Sequence, residues 1–186
     1  MRVKVHPVSI IISTYNRQTK IKATIDSLLR LNYPKYEIVV VDDGSTDSTP
    51  KILKEFGNEI RVITHKKNKG TGAGKSTGIL NAKYNYVALI DDDVIIDKNW
   101  LKDLTSELMK REKDNVAAVT SVGIYAGHSI CYIKDVVIKA GLFDKSFSMA
   151  FREDTDLAFR IMDLGYQIVY TPKGKFIHDP PLPKTF

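Results

Sequence analysis

The chain alternates between short apolar runs and longer stretches in which apolar residues recur every three or four positions. Apolar, β-branched runs predict strands covered on both faces, and the three-to-four periodicity predicts amphipathic helices. The order strand, helix, strand predicts an α/β fold with a doubly wound, mostly parallel sheet flanked by helices. The predicted strands are Val8 to Ser13, Tyr36 to Val41, Ile60 to Thr64, Tyr86 to Ile90 and Val116 to Ser121.

The regular alternation stops after Gly123. Beyond it the pattern predicts a short helix over 135–140, an amphipathic helix over 152–164 and a strand over 166–170. With 186 residues the chain is expected to form one domain over 1–186. A proline-rich tail, residues 180–186, ends abruptly and leaves open a longer natural protein.

Composition and charge restrict the class of protein. The apolar runs are too short to cross a bilayer, the N-terminus lacks a signal-peptide pattern, and a single cysteine, Cys131, fits a reducing compartment. We therefore expect a cytoplasmic protein. The net charge of +6 suits anionic partners, and contact with a membrane's cytoplasmic face stays open. Nucleic acid ranks last, since the basic cluster at 65–69 lacks interleaved aromatic residues and also fits a solvated loop.

Three consecutive aspartates, Asp91, Asp92 and Asp93, follow the predicted strand at 86–90. Like charges at a strand end repel one another unless a cation offsets them, and carboxylate oxygens are ligands for Mg²⁺. Ligands also bind at strand ends in open α/β sheets. A solvated acidic turn or a helix cap is the alternative.

A second acidic pair, Asp42 and Asp43, follows the second predicted strand, where nucleotide-binding folds place an acid for the base or ribose. An Asx turn is the alternative. Tyr15, after the first strand, could stack on a base, although surface tyrosines are common.

A glycine-rich stretch at 70–77 resembles a P-loop, but its register fails by one residue because position 69 is Lys. The stretch is therefore expected to be a glycine-rich loop that leads into a helix. A helix N-terminus near Lys75 could hold a diphosphate.

The late amphipathic helix opens with Glu153, Asp154 and Asp156. The helix dipole favours acids at this position, and a general base for an acceptor hydroxyl is the functional interpretation. His178 follows a strand-like segment at 175–177. A lone histidine is more often structural than a metal ligand, so both interpretations stay open.

Taken together, these segments resemble an inverting glycosyltransferase of the GT-A (Rossmann-like) fold, most similar to family 2. The resemblance spans nearly the whole chain in order and spacing. The matching segments are 8–17, 39–47, 68–82, 87–93, 141–144 and 151–166.

The resemblance implies a role for each candidate residue. Ser13, Tyr15 and Asp43 would surround the nucleotide base. Lys75 stands where the family usually has Arg, and Ser76 where it usually has Asn; Lys75 would reach the diphosphate. Asp93 would be the metal ligand, and Asp91 and Asp92 would contact the ribose and the sugar. Asp154 would be the base, with Glu153 as the second choice. His178 would contact the metal or the diphosphate.

The implied activity is a transfer that depends on Mn²⁺ or Mg²⁺. A sugar would move with inversion from a nucleotide-diphosphate donor, with a UDP-sugar favoured, to the hydroxyl of a saccharide, lipid-linked or protein acceptor. The acceptor and the oligomeric state stay open. One alternative is a nucleotidyltransferase, which should carry a glycine- and arginine-rich loop where this chain has Ser13 to Arg17. An inactive glycosyltransferase-like binding module is the other, and the presence of both Asp93 and Asp154 argues against it.

Overall fold

The fold is built on a seven-stranded sheet with helices on both faces. The computed structural model describes residues 6–123, 127–147 and 152–178. The strands are β1 Val8–Thr14, β2 Tyr36–Asp42, β3 Arg61–Thr64, β4 Tyr86–Leu89, β5 Val94–Ile96, β6 Val116–Thr120, β7 Ile130–Ile133, β8 Gln167–Tyr170 and β9 Phe176–His178. The α-helices are α1 Ile21–Leu29, α2 Thr49–Glu55, α3 Thr71–Asn81, α4 Trp100–Lys110, α5 Lys134–Lys139 and α6 Glu153–Asp163.

The strand order in the large sheet is β3-β2-β1-β4-β7-β6-β8. The β1, β2, β3 and β4 strands are parallel to one another, and β8 is parallel to β6. Strand β7 is antiparallel to both of its neighbours, β4 and β6. The predicted mostly parallel α/β sheet is therefore confirmed.

Two strands have no counterpart among the predicted elements. Strand β7 is antiparallel to β6, and the described residues between the two strands form no helix, so β7 falls outside the alternation of strands and helices. Strand β5 is three residues long and, among the described strands, pairs with β9 in a separate two-stranded sheet. In that sheet Val94 lies opposite His178. This pairing brings the end of β9 beside the three aspartates that immediately precede β5.

The core lies in two layers, one on each face of the large sheet. Strand β1 contributes to both, since Ile10 and Ile12 point to one face and Ile11 to the other. The first layer packs under α1 and α4 and includes the fully buried Trp100. The second packs under α3, α5 and α6. A sheet covered on both faces explains the continuous apolar runs in the sequence.

The expectation of a glycine-rich loop before a later helix was wrong, because α3 already begins at Thr71. Its glycines allow the helix to lie close against β1. A β carbon at Gly74 would lie 1.9 Å from Ser13 Oγ, and one at Gly78 would lie 2.3 Å from Ile11 Cγ2. The glycines here allow close packing of the helix on the strand. Because glycine is also frequent in loops, the sequence alone does not indicate this role.

None of the helices in the described ranges is long and apolar enough to span a membrane. The proline-rich tail, residues 180–186, lies outside the described residues. The single-domain organisation over 1–186 and a longer natural protein stay predictions.

Candidate active site

A cleft of about 780 Å³ opens at the carboxyl ends of β1, β2 and β4. Strands β1 and β4 are neighbours in the sheet. The chain runs from β1 to β2 on one side, whereas after β4 it runs to β6 and β7 on the other side, so the strand order reverses at this point. Such a reversal is where ligands bind in open α/β sheets. All ten residues predicted for the site line this cleft: Ser13, Tyr15, Asp43, Lys75, Asp91, Asp92, Asp93, Glu153, Asp154 and His178.

Asp91, Asp93 and His178 form a candidate metal centre on one side of the cleft. One ligand atom from each lies within 4.8 Å of the others, and His178 Nε2 is 3.5 Å from Asp93 Oδ1. Two carboxylate oxygens and one imidazole nitrogen are a donor set that suits a divalent cation with mixed oxygen and nitrogen preference. The residues present therefore fit the implied cation.

Asp92 has different surroundings from its two neighbours. Its side chain is buried, and Arg17 Nε lies 3.2 Å from its Oδ1. Burial raises the pKa of Asp92 to about 6, with the charges of Asp93 and Asp91 adding to the rise and Arg17 opposing it. Repulsion among these three carboxylates is the electrostatic strain that a bound cation would relieve.

Asp43 accepts hydrogen bonds from the loop that precedes α3. The backbone N–H groups of Lys69 and Gly70 donate to its Oδ2 at 2.9 and 2.8 Å. On the other oxygen, His65 Nδ1 lies 2.6 Å from Oδ1, while His65 Nε2 lies 3.0 Å from Thr77 Oγ1. His65 is thus buried behind Asp43, whereas residues 66–69 of the same basic cluster are exposed, as a solvated loop would be.

Lys75 lies inside α3 rather than at its N-terminus, so the expected helix end near Lys75 is corrected to Thr71. Its Nζ lies 2.9 Å from Asp154 Oδ1 and 3.5 Å from Glu153 Oε1. Burial alone would lower the pKa of Lys75, but the carboxylates, led by Asp154 and Asp91, raise it above its ordinary value. A buried ammonium therefore lies between the late acids and the aspartate cluster.

Asp154 is more accessible than Glu153. The exposed fraction of the side chain is 20% for Asp154 and 5% for Glu153. The third acid of this turn, Asp156, pairs with Arg160 on the next turn of α6. Of these three acids, Glu153 and Asp154 line the cleft, and Asp154 is the more exposed of the two.

Several cleft residues were not predicted for the site. Arg17 belongs to a matching segment, but nothing in its spacing indicates an ion pair with Asp92, which lies 75 positions away. His128 precedes β7, and that strand was missed. The further lining residues are Thr14, Asn16, Asn68, Gly70, Thr71 and Arg152.

Comparison with known proteins identifies the family. The model of "Glycosyl transferase family 2" matches residues 9–156, most of the chain. The chain belongs to glycosyl transferase family 2. It is 32% identical over 109 residues to Glycosyltransferase GlyA of Streptococcus pneumoniae, across 58% of this chain and 16% of that protein. It is 33% identical over 119 residues to a poly-β-1,6-N-acetyl-D-glucosamine synthase of Staphylococcus epidermidis, across 63% of this chain and 28% of that protein.

This family 2 chain spans well under half the length of those relatives. Solved structures share its fold at low identity. The mannosyltransferase PcManGT of Pyrobaculum calidifontis, in complex with GDP-Man and Mn²⁺, gives a TM-score of 0.83 at 21% identity, over 97% of this chain and 58% of that one. S. aureus TarS 1–349 in complex with UDP-GlcNAc gives 0.75 at 22% identity, over 91% and 57%. The expected GT-A architecture is confirmed.

Proposed function

We propose that this chain transfers a sugar, with inversion, from a nucleoside-diphosphate donor to an acceptor hydroxyl. One observation carries the proposal. The candidate metal centre of Asp91, Asp93 and His178 lies in the same cleft as the accessible carboxylate of Asp154. The transfer needs these two parts on opposite sides of one carbon atom, a cation for the leaving diphosphate and a base for the incoming hydroxyl.

The nucleotide would lie over the ends of β1 and β2. Ser13, Tyr15 and Asp43 line that part of the cleft. Tyr15 is 41% exposed, so its ring offers a surface on which a base can stack. Asp43 can accept from a base N–H while His65 and the backbone of the 65–70 loop hold it in place. A UDP-sugar is our favoured donor, because the Asp43 carboxylate can accept from the imide N–H of uracil. The TarS neighbour binds UDP-GlcNAc and the PcManGT neighbour GDP-Man, so both nucleotides are tested.

A divalent cation would be held by Asp93, Asp91 and His178. When bound, it offsets the negative charge that develops on the leaving diphosphate. The imidazole nitrogen favours Mn²⁺ over Mg²⁺, because Mg²⁺ prefers an all-oxygen set. The Mn²⁺ in the PcManGT complex agrees with this preference.

Asp154 would remove the proton from the acceptor hydroxyl. The oxygen then attacks the anomeric carbon, the new carbon–oxygen bond forms, and the bond to the diphosphate oxygen breaks and leaves its electron pair there. Attack opposite the leaving group inverts the configuration. The ammonium of Lys75, 2.9 Å from Asp154, stabilises the ionised carboxylate before the acceptor arrives and lies within the cleft that receives the diphosphate.

A thermal-shift panel tests the proposal. UDP, GDP, ADP and CDP are each added with Mn²⁺, with Mg²⁺ or with EDTA. We expect one nucleotide to raise the melting temperature by about 2–4 °C per kcal/mol of binding energy, and only when the cation is present. Asp93→Asn should abolish the metal-dependent part of the shift.

Two results would contradict the proposal. A panel without any metal-dependent shift would remove the cation site. Binding without turnover of any nucleotide sugar would favour the inactive binding module over the enzyme.

A further inference from the structure

Strand β7, which the sequence pattern does not predict, places His128 beside the proposed reacting centre. Strand β7 pairs with β4 so that Ile130 lies opposite Leu89, and the Ser129 N–H donates to the Leu89 carbonyl at 3.1 Å. The residue before Ser129 therefore lies next to the residues that follow β4. His128 Nδ1 is 3.9 Å from Asp91 Oδ2.

The preceding residue, Gly127, contacts the other half of the site. A β carbon added to Gly127 would lie 1.8 Å from Asp154 Oδ1, so the backbone there packs directly against the proposed base. Two consecutive residues thus join the base to the aspartate cluster. The transferred sugar must lie between these two groups, with its anomeric carbon between the acceptor hydroxyl and the diphosphate.

The His128 ring is held in place but its outer nitrogen is not satisfied. His178 and Phe176 pack edge-on against the ring, with centroid distances of 6.1 and 5.9 Å. Nε2 is buried and has no hydrogen-bond partner among the residues that the structure describes. A buried polar atom without a partner in a cleft points to a ligand group that completes it. His128 is not one of the three residues whose ligand atoms lie within 4.8 Å of one another in the candidate metal centre.

We propose that His128 binds the transferred sugar, through a hydrogen bond from its imidazole to a hydroxyl or acetamido group, and so selects among donor sugars. This inference rests on the proposed function. The proposal places the transferred sugar, rather than the nucleoside diphosphate, against the His128 imidazole in the shared cleft. Loss of the imidazole therefore affects the sugar part of the binding energy and leaves the nucleotide part unchanged.

Calorimetric titration with Mn²⁺ separates the two parts. UDP, UDP-GlcNAc and UDP-Glc, together with GDP and GDP-Man, are titrated into the wild type, His128→Ala, His128→Gln and His128→Asn. The matched control is His6→Ala, since the His6 ring packs on Tyr86 away from the cleft. We expect His128→Ala to bind the diphosphate within about twofold of wild type and to lose about tenfold in affinity for the preferred nucleotide sugar.

The variants His128→Gln and His128→Asn distinguish the loss of a hydrogen bond from a loss of packing. The amide of Gln reaches towards the position of Nε2 and that of Asn towards Nδ1, so restored sugar affinity in His128→Gln supports the contact through Nε2. Equal losses for the diphosphate and the nucleotide sugar would overturn the inference, as would unchanged sugar affinity in all three variants. If the wild type binds no nucleotide sugar at all, the proposed function itself fails.

Discussion

At the scale of single residues, the chemistry depends on how neighbours in sequence are separated in space. Glu153 and Asp154 are adjacent and both pair with Lys75, yet Glu153 is buried whereas Asp154 is partly exposed in the cleft. Asp92 and Asp93 both lie within ion-pair distance of Arg17, at 3.2 and 3.9 Å, but Asp93 also lies 3.5 Å from His178. The position of each carboxylate, in the first turn of α6 or in the bend after β4, decides whether it is buried or exposed to the cleft.

Replacement of the proposed base tests this separation. Asp154→Asn keeps the shape of the side chain and removes its ability to accept a proton. We expect nucleotide affinity to change little and sugar transfer or donor hydrolysis to fall about 10²- to 10⁴-fold, the usual contribution of a general base. Released nucleoside diphosphate is the measurement.

Glu153→Gln is the matched variant. Its buried carboxylate lies 3.5 Å from Lys75, so its loss should alter stability more than turnover. If Glu153→Gln abolishes turnover and Asp154→Asn does not, the two roles are reversed.

Much of the site could be predicted at this scale because Asp43 and the three aspartates follow strand ends that apolar runs reveal, while the family resemblance implied the helical residues Lys75, Glu153 and Asp154. All ten predicted residues line the cleft, although their individual roles stay predictions. Arg17, His65 and His128 could not be predicted, because their partners depend on contacts that no local pattern encodes. The Asp43–His65 contact, for example, joins residues 22 positions apart through the end of β3.

At the scale of elements, α3 shows why composition can mislead. Its glycines predict a loop, but they form the face of a helix that packs on β1. Helix propensity alone favours Ala over Gly by about 1 kcal/mol, so close packing must outweigh propensity here. The short β7 strand shows a similar limit, since its pairing with β4 and β6 is set by the whole sheet.

A double-mutant cycle tests the packing of α3. Gly78→Ala places a methyl group 2.3 Å from Ile11 Cγ2 and should destabilise the fold by about 1–3 kcal/mol. Ile11→Ala removes that contact but leaves a cavity, at a cost of about 2–5 kcal/mol. In the double variant the new methyl group occupies part of the cavity, so the loss should be smaller than the sum of the two single losses.

Urea denaturation measures all three variants. Gly123→Ala is the control, since a β carbon there would meet nothing within 4 Å. Strict additivity between Gly78→Ala and Ile11→Ala would show that the helix does not depend on this contact.

At the scale of the whole molecule, charge is divided between the cleft and the remaining surface. Among the described residues, six of the chain's 22 acidic residues and three of its 28 basic residues line the cleft, which leaves 16 acidic and 25 basic residues elsewhere. The acidic cleft suits a cation, and the basic exterior suits anionic partners. Contact with a membrane surface stays a prediction.

The amino and carboxyl ends of the parallel strands also have different roles. The carboxyl ends of the strands carry the cleft, whereas Glu37 ties the amino ends together. Ser9 Oγ and the Lys83 N–H both donate to Glu37 Oε1 at 2.6 Å, and Arg61 donates to Oε2 at 3.1 Å. These contacts join β1, β2, β3 and the residues before β4 at the end of the sheet opposite the site.

This division predicts a variant that loses stability without loss of nucleotide binding. Burial alone would raise the pKa of Glu37, but the hydrogen bonds from Ser9 and Lys83 and the charge of Arg61 lower it below 4.5. A lowered carboxyl pKa stabilises the fold above pH 4.5, and that contribution disappears as the pH falls through the folded-state pKa.

We expect Glu37→Gln to lower the free energy of unfolding by about 1–3 kcal/mol at pH 7 and by less at pH 3. Denaturation at both pH values measures the difference, and titration with the nucleotide selected by the thermal-shift panel should give an unchanged affinity at pH 7. A stability difference that is equal at both pH values, or that grows in acid, would show that the charge of Glu37 does not hold the amino ends together.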